Sequence, residues 1–133
     1  MTVYLAVDGL IQINLEMVDE WGGIAGVRDR GALEAAVGRA KSGYYTDVIE
    51  EAAALCESLL QNHPFIDGNK RSAITATAVF LRMNDYQLVF VDREMYDWLM
   101  NLYETSRVTR AAIDVAADPH NPGLKPPLPL TRV

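Results

Sequence analysis

Residues 62–83 read NHPFIDGNKRSAITATAVFLRM, and the two halves of this stretch ask for opposite surroundings. In the second half Ala73, Ile74, Ala76, Ala78, Val79, Phe80, Leu81 and Met83 leave almost no polar face at helical spacing. A helix that is apolar all round belongs inside a fold, so residues 71–83 are predicted to form the central buried helix of an all-α domain. Just before it stand a histidine, an acid, a glycine, an asparagine and two cations. The mouth of a buried helix is a place where such groups have work to do. There the first backbone N–H groups lack intrahelical partners and partial positive charge accumulates.

Working outward, the rest of the chain also reads as short helices. Leu10, Ile11, Leu15, Val18 and Trp21 recur at steps of three and four, which predicts a helix over residues 8–21 with these side chains inward. Gly22-Gly23 ends it, since glycine accepts the left-handed conformation that follows a helix. Asp29 is positioned to cap a second helix that buries Leu33, Ala36, Val37 and Ala40, and Ser42-Gly43 breaks that helix. Thr46 or Asp47 opens a third, with Val48, Ala52, Cys56, Leu59 and Leu60 on one stripe, and Asn84-Asp85 stops the central helix. Residues 87–91 (QLVFV) suit a short extended piece. Asp92 caps a fifth helix carrying Met95, Trp98, Leu99 and Leu102, and residues 108–116 suggest a sixth. The expected domain is 1–117. Residues 118–133 hold most of the prolines and read as an extended or disordered tail.

The composition sets bounds on what the protein does. A chain of 133 residues has the length of one domain and needs no disulfide or metal staple to bury a core. Cys56 is the single cysteine, which excludes an internal disulfide and suits a reducing cytoplasm. The net charge of −6 disfavours direct nucleic-acid binding, because phosphates repel an acidic surface. No signal peptide and no run approaching the ~20 apolar residues of a membrane span is visible, so a soluble protein is expected.

Against that acidic background, Lys70-Arg71 is a local cationic site at a helix N-terminus. Cations there oppose the helix dipole, which makes sense if an anion sits between. Gly68 lets an anion approach the backbone closely, and arginine and lysine offer a fork and a point charge to phosphate oxygens. His63 has the side chain whose ordinary titration range suits a general base, and Asp67 is a hard oxygen ligand fit for magnesium. Each residue also has a plainer role. His63 can close the preceding helix, Asp67 or Asn69 can be an N-cap, and Lys70-Arg71 can be a solvated pair. Cys56, Trp21 and Trp98 read as core, and Arg28-Asp29 as a loop contact and a cap.

The segment HPFIDGNKR (63–71) resembles the active-site motif of the Fic family, His-Pro-Phe-x-Asp/Glu-Gly-Asn-x-Arg. Residues 22–43 (GGIAGVRDRGALEAAVGRAKSG) and 69–88 are similar to the Doc, or death-on-curing, branch, and the likeness covers residues 4–117. The resemblance implies a compact bundle of about six helices around the motif helix. It implies ATP and magnesium as cofactors, with His63 as base and Asp67 as metal ligand. Gly68, Asn69 and Lys70 would form an anion cradle, Arg71 a phosphate contact and Phe65 a core anchor. Many Fic enzymes carry a second arginine three residues after the first, where this chain has Ile74, and AMP-transferring members carry glycine in place of Lys70. Both departures are those of the Doc branch.

The expected activity is therefore that of a Doc-like toxin: phosphoryl transfer from ATP to a Ser/Thr hydroxyl of a protein, elongation factor Tu by resemblance, halting translation. AMP transfer is one alternative, and a noncatalytic binding module on the same fold is another. The inhibitory helix pattern of many Fic enzymes has no full match. TDVIEE (46–51) comes nearest, with Glu51 where glycine or asparagine should be. Control is then expected from a second chain, a Phd-like antitoxin that lays a helical segment into an apolar groove.

Overall fold

Asp29 and Asp47 begin helices in the way their positions predict. In the computed structural model, which describes residues 1–86, Asp29 accepts a hydrogen bond from the Ala32 amide at 3.1 Å and Asp47 one from the Glu50 amide at 2.9 Å. Four helices result: α1 (Val7–Trp21), α2 (Arg30–Ala40), α3 (Val48–Asn62) and α4 (Asn69–Met83). No strand occurs among the described residues, only an isolated antiparallel bridge between Val27 and Phe65. Gly22 closes α1 at φ 89°, its N–H donating to the Val18 carbonyl at 2.8 Å. None of the described helices is long and apolar enough to cross a membrane.

α3 packs against both α2 and α4, and α1 lies against α4 and α2. Leu10, Leu33, Leu55, Leu59, Leu60, Phe80 and Leu81 are fully buried between them. Each such side chain contributes about 1.5–3 kcal/mol by leaving water. Among the described helices α3 is the most buried. Ten of the fifteen residues of α3 are buried, against seven of fifteen in α4. The run Ala52-Ala53-Ala54 is the reason, since small side chains let neighbours close on more than one face of α3. Ala78 and Val79 of α4 are half-buried and Met83 is exposed.

The inward face of α1 also differs from the predicted one. Leu10, Ile13, Asn14 and Val18 point inward, while Leu15 and Trp21 are exposed. The buried stripe is centred on a polar residue, so a search for apolar spacing rotates it by one position and turns Leu15 inward. The predicted faces of α2 and α3 are the observed ones: Leu33, Ala36, Val37, Ala40, Ala52, Cys56, Leu59 and Leu60 are all buried. Burial holds the Cys56 thiol protonated and pushes its pKa up to about 11. Glu51 is buried as well, and its carboxylate accepts the Tyr4 hydroxyl. That hydrogen bond raises the Tyr4 phenol above its ordinary value. Tyr4 also stacks on Phe80 with ring centroids 5.9 Å apart, which ties the N-terminal segment to α3 and α4. The extended piece at 87–91, the fifth and sixth helices and the 118–133 tail lie outside the described residues.

Candidate active site

The turn between α3 and α4 is built around a strained histidine. His63 ends α3 at φ 45°, ψ 60°, a left-handed conformation that disfavours residues with a Cβ by about 1–2 kcal/mol. The segment before α2 compensates. Arg28 donates from Nε to the His63 carbonyl at 2.7 Å and from Nη2 to the Asn62 carbonyl at 2.7 Å. The amides of Arg28 and Asp29 donate to the Pro64 carbonyl at 2.8 and 3.0 Å, and the Ile66 amide donates to the Gly26 carbonyl at 3.0 Å. The Asn62 and His63 carbonyls at the end of α3 are thus satisfied by a cation, and the Pro64 carbonyl by neighbouring backbone amides.

Phe65 drops from this turn into the core, 2% exposed. Asn69 fastens it there: its Oδ1 accepts from the Phe65 amide and its Nδ2 donates to the Phe65 carbonyl, both at 2.9 Å. Asn69 is therefore a clamp on the loop. Neither it nor Asp67 is the cap of α4, which is Gly68 at φ 72°. Asp67 faces the loop after α1, where its Oδ2 accepts from the Ile24 amide at 3.2 Å. A Cβ on Gly23, at φ 116°, would lie 2.9 Å from that oxygen, so the close approach requires glycine. Asn14 reaches the same turn from inside α1. Its buried Nδ2 donates to the Asp67 carbonyl at 2.8 Å and to the Ser72 hydroxyl at 3.0 Å, joining the two sides of the Gly68 turn.

The first intrahelical bond of α4 runs from the Ser72 amide to the Gly68 carbonyl at 2.9 Å. The amides of residues 69–71 make up the turn in front of it, at the positive end of the helix dipole. A cleft of about 330 Å³ opens there, lined by Asp67, Gly68, Asn69, Lys70 and Arg71 from the turn and by Met17, Trp21 and Gly22 from the end of α1. The half-buried Arg71 places its guanidinium 3.9 Å from the centroid of the Trp21 ring. Five of the six sequence-predicted site residues thus share one cleft. His63 is exposed and is not among the residues that line it.

Asn14, Met17 and Trp21 were invisible as site residues in the sequence. The one available signal was Asn14, a polar residue in the middle of an otherwise apolar stripe. Arg28 and Asp29 behave as read, one as a loop contact and one as a cap.

The fold and turn belong to a known class. Residues 4–81 match the Fic/DOC family, and this chain belongs to that family. Within it the similarity is to Doc proteins. Over 73 residues the chain is 44% identical to "Toxin Doc" of Mycolicibacterium smegmatis, covering 51% of this chain and 56% of that protein. Over 98 residues it is 34% identical to "Protein kinase doc" of Escherichia phage P1, covering 71% of this chain and 77% of that protein.

The Arg28 clamp supports a prediction. Arg28→Ala removes the fork that holds the Asn62 and His63 carbonyls and is expected to slow transfer by up to about 10²-fold, the scale of an ångström-sized misplacement at a site. Arg28→Lys should restore only part of the rate, because an ammonium lacks the planar fork. Rates and melting temperatures of both variants check this. Parental activity in Arg28→Ala would mean that the clamp does not govern the site.

Proposed function

We propose that this chain is a Doc-like toxin that transfers the γ-phosphoryl group of ATP to a serine or threonine hydroxyl of a protein. The observation that carries this is the gathering of Asp67, Gly68, Asn69, Lys70 and Arg71 around one cleft at the N-terminus of α4. Phosphoryl transfer asks mainly for positioning and for positive charge around the transferred oxygens. A helix N-terminus, an ammonium and a guanidinium supply that charge. His63, exposed beside the loop, takes the proton of the incoming hydroxyl as its oxygen bonds to the γ-phosphorus and ADP departs.

The donor set fits magnesium. Among the described residues no group of three or more His, Cys, Asp or Glu is placed to hold a metal ion. A single carboxylate, Asp67, is the arrangement magnesium uses when phosphates and waters complete its shell. When bound, the ion would neutralise charge developing on the phosphate oxygens. Ile74 supports phosphoryl over adenylyl transfer. The position of the second arginine in many Fic enzymes is here 4% exposed and part of the core, so no cation at that point grips a triphosphate.

By resemblance, the target is elongation factor Tu and the consequence is arrest of translation in the cytoplasm. A relative named as a toxin supports the expectation of an antitoxin, of Phd type by resemblance. The deciding experiment incubates the protein and cell lysate with ATP labelled at either the α- or the γ-phosphate. A single target marked by γ-label alone is expected, and a target marked by α-label would overturn the reading in favour of AMP transfer. Expression alone should arrest growth, and co-expression of an antitoxin should restore it.

A further inference from the structure

Trp21 is more exposed than an indole should be if its role were to fill the core. It is the last residue of α1 and 58% of its surface is accessible. What it touches explains its place better than what it buries. The Arg71 guanidinium lies over its ring at 3.9 Å, within the range in which a cation is drawn to the electron-rich face of an aromatic ring. Both residues line the cleft.

The electrostatics of the two helices point the same way. Arg71 stands in the first turn of α4, whose dipole is positive there and repels a cation. The last turn of α1 has no basic residue, and its dipole is negative at that end. Arg71 is thus driven away from its own helix and towards the end of α1, where the indole receives it. The ring contact engages the positive charge of the guanidinium, whose N–H groups are the part that forks onto phosphate. A long side chain with many rotamers acquires one orientation across the cleft without giving up the geometry that phosphate recognition needs.

We propose that Trp21 is a positioning residue that holds the Arg71 guanidinium in place for the transferred phosphoryl group. This rests on the reading of Arg71 as the phosphate contact. Trp21 acts on the reaction through Arg71.

The test measures γ-phosphoryl transfer by the full chain in the parent, Trp21→Leu, Trp21→Phe, Arg71→Ala, Arg71→Lys and Trp21→Leu/Arg71→Lys. Trp21→Leu is expected to lower kcat by about two- to fivefold at saturating ATP, the size of one exposed cation–π contact expressed as a rate. Its melting temperature should stay close to the parent's, because an exposed side chain opens no cavity. Trp21→Phe should recover most of the rate. In the Arg71→Lys background, Trp21→Leu should have little further effect, since the planar cation that it positions is already gone. Parental kcat in Trp21→Leu, or equal losses in both backgrounds, would overturn the proposal. So would a loss seen only in KM for ATP and varying with the nucleotide base, which would make Trp21 a stacking platform for the base. If Arg71→Ala collapses transfer while Trp21→Leu does not, the site reading stands and this inference falls. If Arg71→Ala transfers at the parental rate, both fall.

Discussion

His63→Ala is expected to slow phosphoryl transfer by about 10²–10⁴-fold, the usual loss when a general base is removed, while the protein stays folded. The separation of the two effects follows from where His63 sits. It caps α3 with an exposed side chain, so truncation opens no cavity in the core. Arg28 holds the His63 carbonyl and not its imidazole, so the turn keeps its anchor in the variant. Alanine is no more at ease than histidine in the left-handed conformation, and His63→Asn is the better-matched control because asparagine adopts that conformation more readily and is no base. Both variants should be inactive, with melting temperatures within a few degrees of the parent's. Transfer at the parental rate by either of them would remove His63 from the mechanism.

The largest expected effect on stability belongs to Ile74→Arg. In sequence this change supplies the second arginine of many Fic enzymes, and it looks like a route to AMP transfer. In the fold Ile74 is 4% exposed within the core cluster that includes Leu10, Leu59, Phe80 and Leu81. An arginine there places an unpaired charge among apolar side chains, a change that costs about 3–5 kcal/mol. A loss of that size is a large fraction of the roughly 5–15 kcal/mol by which a typical domain is stable. The expected outcome is a protein that is insoluble or unfolds at much lower urea, whereas Ile74→Val should cost only about 0.5–1.5 kcal/mol. If Ile74→Arg unfolds at the parental urea midpoint, its guanidinium has a path to the cleft and the core argument against AMP transfer fails. Lys70→Gly is then the cleaner probe of phosphoryl against adenylyl transfer, because Lys70 is exposed.

Helix ends were legible in the sequence because the interactions that make them are local. A side chain at Asp29 or Asp47 bonds an amide three residues on, and Gly22 ends α1 through its own backbone freedom. The HPFIDGNKR segment was legible for a related reason. Its residues are contiguous, and one turn at a helix N-terminus brings Asp67 through Arg71 to the same cleft.

What only the tertiary structure decided are the contacts that join distant segments. Asn14 meets Asp67 across 53 residues and Arg28 meets His63 across 35, and no local pattern announces either pairing. The orientation of α1 belongs here too. Its buried stripe passes through a polar Asn14 that is inward only because the turn before α4 offers it a carbonyl and a hydroxyl to bond. That rotation exposes Trp21 at the mouth of the cleft, where Arg71 meets it. The choice of α3 as the most buried of the described helices has the same origin. Apolar composition says that a helix wants burial, but which helix its neighbours enclose depends on where small side chains let them approach.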